Sequence, residues 1–445
     1  MGDVYATPQK IIRVQMGRNC VRFEKFTMRP ELVYACFSRK PLLFMILKTV
    51  RSDMKNLAAA IALLLAYGST AFCQPYYGHG SDVNIGGKIV KITSLADSGP
   101  GTLRACTDLN YPRVCVFETS GRIDARSALR IKNNKCYIAG QTAPSPGILI
   151  TGSTVRVEAS DVVVQHLQLR PGDISQDGKP GERDALAIGV DGKLIERVVA
   201  DHLSLSFGID ENVSTYGQVQ KVSVINSIVS EGLYKSVHPK GPHGYSVLLG
   251  VGTSKFTFQN NLIASSWYRN PQLNKGAVGD FLGNFIYNIG GVGVHNSMYL
   301  EPGASALSVN NVFKLGPSSP AIAQAIKGET NTALRVSGTK LFGKDGKLLC
   351  QDCKCFVGST GSACVPAPLS AAPVFNPSQV GSRPWDRNAI DTRILAEVAS
   401  GKGSIKNSVL EAGGYPYMPV NRRAISAPAE LKGEALATWL RTFER

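Results

Sequence analysis

The sequence predicts an all-β fold in which the chain winds into a parallel β-helix, a solenoid of stacked coils. Three observations carry this expectation. From about residue 84 to 315, short β-branched runs alternate with Gly, Asn and Asp, as in Val162-Val163-Val164-Gln165, Val222-Ser223-Val224-Ile225 and Lys255-Phe256-Thr257-Phe258-Gln259. Alternation over four to six residues marks strands, and amphipathic stretches of helix length are nearly absent from the same span. A strand followed by His or Asn then recurs at His166, His202, Asn226, Asn261, Asn284 and Asn311, at intervals of 36, 24, 35, 23 and 27 residues. A repeat of that length, with insertions on some turns, is the signature of a solenoid, and all-β turns favour a β-helix over a helical repeat. Stacked coils would set these His and Asn side chains above one another, bonding turn backbones. A β-sandwich is the alternative, and it requires the spacing to be coincidental.

Taken in order along the chain, residues 1–53 precede a start-like Met54 and carry ten Lys/Arg and four Asp/Glu without clear periodicity. They read as a leader or upstream extension. Residues 54–71 have a basic start at Lys55, an apolar run from Leu57 to Ala66 and the small residues Ser69 and Ala71, the parts of a secretory signal. Ten apolar residues are short for a membrane span. Residues 72–445 are expected to form a single domain, with core coils at about 84–315. The Gly-, Ser-, Pro- and Cys-rich stretch 318–380 reads as loops tied by disulfides. In the C-terminal segment 381–445, Ile390, Ile394, Leu395 and Val398 share one face of a helical stretch that could cap an open end of the solenoid.

The whole chain has 445 residues, 49 Lys+Arg against 33 Asp+Glu and a net charge of +16. An acidic protein and simple disorder are both excluded. Removing residues 1–71 leaves +9, still a basic balance that attracts polyanions, and export favours an acidic polysaccharide over nucleic acid. Export also sets the cysteine reading. Cys106, Cys115 and Cys136 cluster early and Cys350, Cys353, Cys355 and Cys364 late, with no His near the second group. Disulfides are favoured over zinc, with the pairing left open.

The candidate chemistry follows the coil period. Glu182 and Asp184 open one coil, and Asp210-Glu211 follow 26 residues after Asp184. Lys240 comes 29 residues after Glu211 and Arg269 another 29 after Lys240. If each interval is one coil, these residues climb one edge in steps of about 4.8 Å. Four carboxylates that close cannot all stay ionised without positive charge among them, and a hard cation such as calcium resolves the conflict. Solvated loop carboxylates are the alternative. Ser236 to Gly244 adds His238, Lys240 and His243 in one turn-rich loop, and Arg269 stands near Pro271, where extended backbone would let it project.

On these residues the chain resembles the pectate lyases of polysaccharide lyase family one. Asp97-Ser-Gly-Pro-Gly-Thr-Leu-Arg104 is similar to an opening motif of bacterial members, and Ile138 to Pro144 and Arg170-Pro-Gly-Asp173 to later ones. Val199-Ala200-Asp201-His202 is similar to the family's V-W-I-D-H strand, with Ala200 as a departure. Glu182-x-Asp184 and Asp210-Glu211 resemble its calcium carboxylates, and Arg269-x-Pro271 the first half of its R-x-P-x-x-R. The second arginine is replaced by Asn274, beside Lys275.

The resemblance implies a secreted, right-handed parallel β-helix that cleaves (1→4)-linked galacturonan by calcium-dependent β-elimination. It implies Arg269 as the catalytic base, and Glu182, Asp184, Asp210 and Glu211 around Ca2+. Lys240, His238 and Lys275 would bind substrate, Lys275 as a point charge where a second arginine would grip carboxylate bidentately. The implied partner is pectate or pectin, without nucleic acid or membrane, and the implied state a monomer. Two other readings compete. A hydrolase on the same fold would use Asp201 and Asp210 as acid and base, although the Asn-Thr-Asp and Gly-His-Gly patterns of polygalacturonases are missing. A non-catalytic carbohydrate-binding β-helix is the other.

Overall fold

A computed structural model describes residues 12–16, 20–25, 31–36, 78–174, 177–290, 297–322, 324–367 and 373–445. The chain divides into two compact units, Met1–Gln74 and Pro75–Arg445. In the first, Ile12–Met16, Cys20–Lys25 and Glu31–Cys36 pair into an antiparallel sheet within the stretch read above as a leader. The rest of that stretch and the candidate signal at 54–71 lie outside the described residues.

The second unit is a parallel β-helix. Successive coils contribute strands to three sheets, which among the described residues hold nine, twelve and ten strands, with Leu348–Gln351 and Glu430–Lys432 added antiparallel at the edges of the ten- and twelve-strand sheets. Pairing runs coil to coil in parallel register. In the twelve-strand sheet, for example, Val164 lies level with Ala200, Ala200 with Val224, Val224 with Phe258, and Phe258 with Phe281. These five point inward and are at most 3% exposed. Alternation is therefore real at every rung: one side chain enters the stacked interior and the next leaves it.

The recurring His/Asn motif resolves into two columns one residue apart. At the corner between the twelve- and ten-strand sheets, His166, His202, Asn226, Asn260, Gly283, Asn310 and Gly338 all have φ between 51° and 67°. Left-handed backbone strains most side chains and favours Gly, Asn and His. The next residue in each coil forms the second column, which includes Asn261, Asn284 and Asn311. The Asn284 amide oxygen accepts from the Asn261 backbone N–H at 2.9 Å, and Asn311 does the same for Asn284. Their amide nitrogens donate to Val224, Phe258 and Phe281 carbonyls at 2.7–2.9 Å. Buried corner amides are thereby satisfied. The spacing in the sequence mixed the two columns because Asn suits both.

The stretch 318–380 is not a loop region. Ile326–Gly328, Ala333–Ser337, Lys340–Phe342, Phe356–Gly358 and Ala363–Pro366 extend the three sheets by further rungs. Three-residue strands between glycine turns are too short for alternation to register in sequence. Disulfides Cys350–Cys355 and Cys353–Cys364 tie this end, Cys106–Cys115 ties the first coil, and Cys136 is buried and free.

The helix expected near residues 386–403 forms at Ala389–Ser400, started by Asn388, whose side chain accepts from the Asp391 N–H, and stopped by Gly401 at φ 70°. It does not cap an end. Ile390 and Ile394 pack laterally with Ile228, Leu262 and Tyr287 on the outside of the ten-strand sheet. Its polar side is drawn inward as well. Fully buried Arg170 donates to Asp391 at 2.7 Å, Ser204 also bonds Asp391, and Arg393 pairs with buried Glu231 at 2.8 Å. The last segment closes the opposite face: Glu430–Lys432 pairs antiparallel with Gly86–Ile92, and helix Gly433–Arg441 seats Leu436 and Leu440 beside Val114, Val116 and Val163.

Removing one partner of a buried pair leaves an uncompensated charge and costs about 3–5 kcal/mol. Asp391→Asn is therefore expected to lower stability by about that much in urea unfolding. A change within the few tenths typical of surface substitutions would show that the lateral helix is not anchored through Arg170.

Candidate functional site

Consecutive strands Leu186–Ile188, Glu211–Thr215, Tyr245–Leu249 and Gln272–Leu273 lie in the nine-strand sheet. The residues entering them form a column. Glu211 donates its N–H to Asp184 Oδ1 at 2.9 Å, Tyr245 donates to the Asp210 carbonyl at 2.7 Å, and Val247 to the Arg269 carbonyl at 2.8 Å. Together with the backbone bond from the Ala185 N–H to the Glu211 carbonyl at 3.1 Å, this pairing brings Asp184, Asp210, Glu211 and Arg269 onto successive coils.

Asp184, Asp210 and Glu211 each offer a carboxylate oxygen within 4.8 Å of the others. Asp184 and Glu211 are buried. Burial first, and then the like charge of Asp210, push the Asp184 carboxyl up to about 8, although Ser214 donates a hydrogen bond to it. Arg269 reaches back across the intervening coil, lies 4.7 Å over the Tyr245 ring and pairs with Glu211. Burial lowers the pKa of its guanidinium, while Asp210, Asp184 and Glu301 oppose that shift. The backbone at Arg269 is left-handed, φ 59°, and not extended. Proline restricts only the residue immediately before it, here Asn270.

The other expected residues divide. Glu182 is exposed and pairs with Lys179 at 3.5 Å, outside the carboxylate trio. The structure brings three of the four expected carboxylates together, not four. His238 is buried behind Asp210, its Nε2 3.8 Å from that carboxylate and its ring stacked on His243 at 3.8 Å. Its Nδ1 accepts from the Lys240 N–H at 3.1 Å, so the neutral ring carries its proton on Nε2, facing Asp210. His243 Nε2 is nearer Asp210, at 3.2 Å. Lys240, Lys235 and Lys275 are exposed. Asn274 accepts from Gln272 at 2.9 Å, and the same Gln272 amide donates to Glu301 at 3.0 Å.

Sequence reasoning left His243 and Tyr245 without roles. Tyr245 stands directly in register with Glu211, a relation visible only once the 34-residue coil between them is aligned. The hydrolase pair does not form one site. Asp201 ends a strand of the twelve-strand sheet, where Gln165 and Asn226 donate to it at 2.6 and 2.9 Å, whereas Asp210 opens the nine-strand sheet.

Three carboxylates without a compensating cluster of lysines can hold a hard divalent cation through oxygen ligands. Asp184→Asn, Asp210→Asn and Glu211→Gln are each expected to weaken calcium binding by at least about tenfold in a calorimetric titration, since each removes a charged ligand. Glu182→Gln is expected to leave it unchanged. Equal losses for Glu182→Gln and the other three would place the cation elsewhere.

No family model matches the chain. It is 32% identical over 234 residues to "Probable pectate lyase C" of Aspergillus terreus, which is 52% of this chain and 51% of that protein. Proteins of the same name from Emericella nidulans and Aspergillus fumigatus are 33% and 34% identical over 235 and 234 residues, 53% and 52% of this chain and 50% and 51% of theirs. This chain is similar to the pectate lyases. It spans about half the length of the curated relatives it matches. Among solved structures, jun a 1, the major allergen from cedar pollen, superposes with a TM-score of 0.47 at 14% identity, covering 74% of this chain and 93% of that one. A pectate lyase of Bacillus sp. N165, in complex with trigalacturonate, gives 0.40 at 14% identity, covering 74% and 98%. The β-helix assignment rests on the chain's own three parallel sheets.

Proposed function

We propose that this pectate lyase relative is a secreted, calcium-dependent lyase that cleaves (1→4)-linked galacturonan by β-elimination and leaves unsaturated oligogalacturonides. The observation that carries the proposal is one column of the nine-strand sheet, in which Asp184, Asp210 and Glu211 converge and Arg269 reaches the same point from two coils away. An all-oxygen donor set suits calcium. Asp210 with His238 and His243 forms a second possible metal set, but imidazole nitrogen suits softer transition metals and not calcium.

Calcium, when held there, would screen the three carboxylates and withdraw charge from a substrate carboxylate, making the adjacent C–H proton more acidic. Asp184 would be kept ionised by that cation against its burial. Arg269 would accept the proton alpha to the carboxylate, the electron pair left on that carbon would form a double bond to its neighbour as the bond to the 4-linked oxygen breaks, and the departing oxygen would take a proton from solvent. An arginine base must lose its own proton first. Burial already favours the neutral guanidine, and Glu211 opposes it as a counter-charge. Asp210, Asp184 and Glu301 oppose it as well, so the neutral form would require these carboxylates to be screened. Lys240 would offset the developing charge from its exposed loop. Secretion agrees with three disulfides among the described residues. Among those residues no helix is long and apolar enough to cross a membrane.

The test is incubation with polygalacturonate, with and without chelator. The expected result is ultraviolet-absorbing unsaturated ends that vanish with chelator. Arg269→Ala is expected to lower the rate by about 10²–10⁴-fold while the far-ultraviolet circular dichroism of the folded β-helix is retained, although loss of the partner of buried Glu211 lowers the unfolding midpoint. New reducing ends without absorbance would make the protein a hydrolase, and neither product would make it a binder.

A further inference from the structure

The outward face of the nine-strand sheet continues below the carboxylates. Arg130, Arg156, Ala187, Ser214 and Leu248 occupy level outward positions on successive coils. Their direction is fixed by their neighbours: Val155 and Val157 enter the interior on either side of Arg156, and Leu186 and Ile188 on either side of Ala187. Ser214 bonds the Asp184 carboxylate, so Asp184 lies over this same face. Arg156 is level with Ala187, and Ala187, which carries only a methyl group, is level with Ser214.

The two arginines differ in one respect. Arg130 is neutralised by Glu158 at 2.6 Å. Arg156, half-buried, has no ion-pair partner among the described residues. We infer that Arg156 forms a carboxylate-binding subsite for the uronate polymer, on the outward face of the nine-strand sheet at the Asp184 side of the cation site. This rests on the lyase reading of the site above. A guanidinium matches a carboxylate with two parallel hydrogen bonds, and a methyl ester forfeits the charge that strengthens them.

The competing role for Arg156 is a simple counter-charge to Asp184, which would act through the cation and not the polymer. Equilibrium binding separates them. Wild type, Arg156→Ala and Arg156→Lys are compared, in excess calcium, on de-esterified polygalacturonate and on the fully methyl-esterified polymer. Calcium affinity is measured separately without polymer. Arg156→Ala is expected to weaken binding of the de-esterified polymer by about tenfold or more, with Arg156→Lys recovering part of the loss. Binding of the esterified polymer and of calcium is expected to stay the same. Unchanged affinity for the de-esterified polymer, equal losses on both polymers, a loss matched by weaker calcium binding, or no polymer binding by wild type would each overturn the subsite. The lyase reading fails separately, if wild type binds polygalacturonate but releases no unsaturated ends.

Discussion

Parallel hydrogen bonding between successive coils, at a step of about 4.8 Å, is the constraint on which the rest of this protein depends. It turns separation along the chain into height along a column. Residues 24 or 36 positions apart become neighbours whenever the strands between them pair in register. The His/Asn corner, the asparagine ladder and the carboxylate cluster are three outcomes of that one rule. The lateral helix at Ala389–Ser400 and the closing strand Glu430–Lys432 then cover faces that the coil leaves apolar or unpaired.

The same constraint creates an electrostatic problem and supplies its answer. Stacking carries Asp184, Asp210 and Glu211 together whether or not their charges tolerate it. Burial makes the conflict worse, and the Asp184 carboxyl rises to about 8 in consequence. Arg269 offsets part of it through Glu211, in a left-handed backbone conformation that costs free energy at a non-glycine residue. Elsewhere the protein buries charge in closed pairs, as at Arg170–Asp391. At the column the carboxylates outnumber the cation reaching them. That imbalance is the physical reason to place a divalent ion there.

Much of this was legible in the residues. Runs such as Val162–Gln165 and Val222–Ile225 are strands as read, and Asp184, Asp210, Glu211 and Arg269 share a column, but the rung between Glu211 and Arg269 is held by Tyr245 and not by Lys240, which lies in the exposed loop before it. What escaped did so for identifiable reasons. Asn serves both in the left-handed corner and in the ladder behind it, so the two columns merged into one motif. Three-residue strands such as Ile326–Gly328 carry too little alternation to stand out from their glycine turns. Glu182 lies two residues from Asp184 but belongs to a short 3-10 turn, Pro180–Glu182, that turns its side chain to solvent. Arg156 has no motif around it, and its relation to Asp184 exists only in the register.

The most direct measurement of the central claim is a crystal structure grown with calcium. The coil register and the all-carboxylate donor set predict one ion bound by oxygens of Asp184, Asp210 and Glu211. An ion held by Glu182 or by the imidazoles of His238 and His243, or the trio left without an ion at saturating calcium, would contradict it.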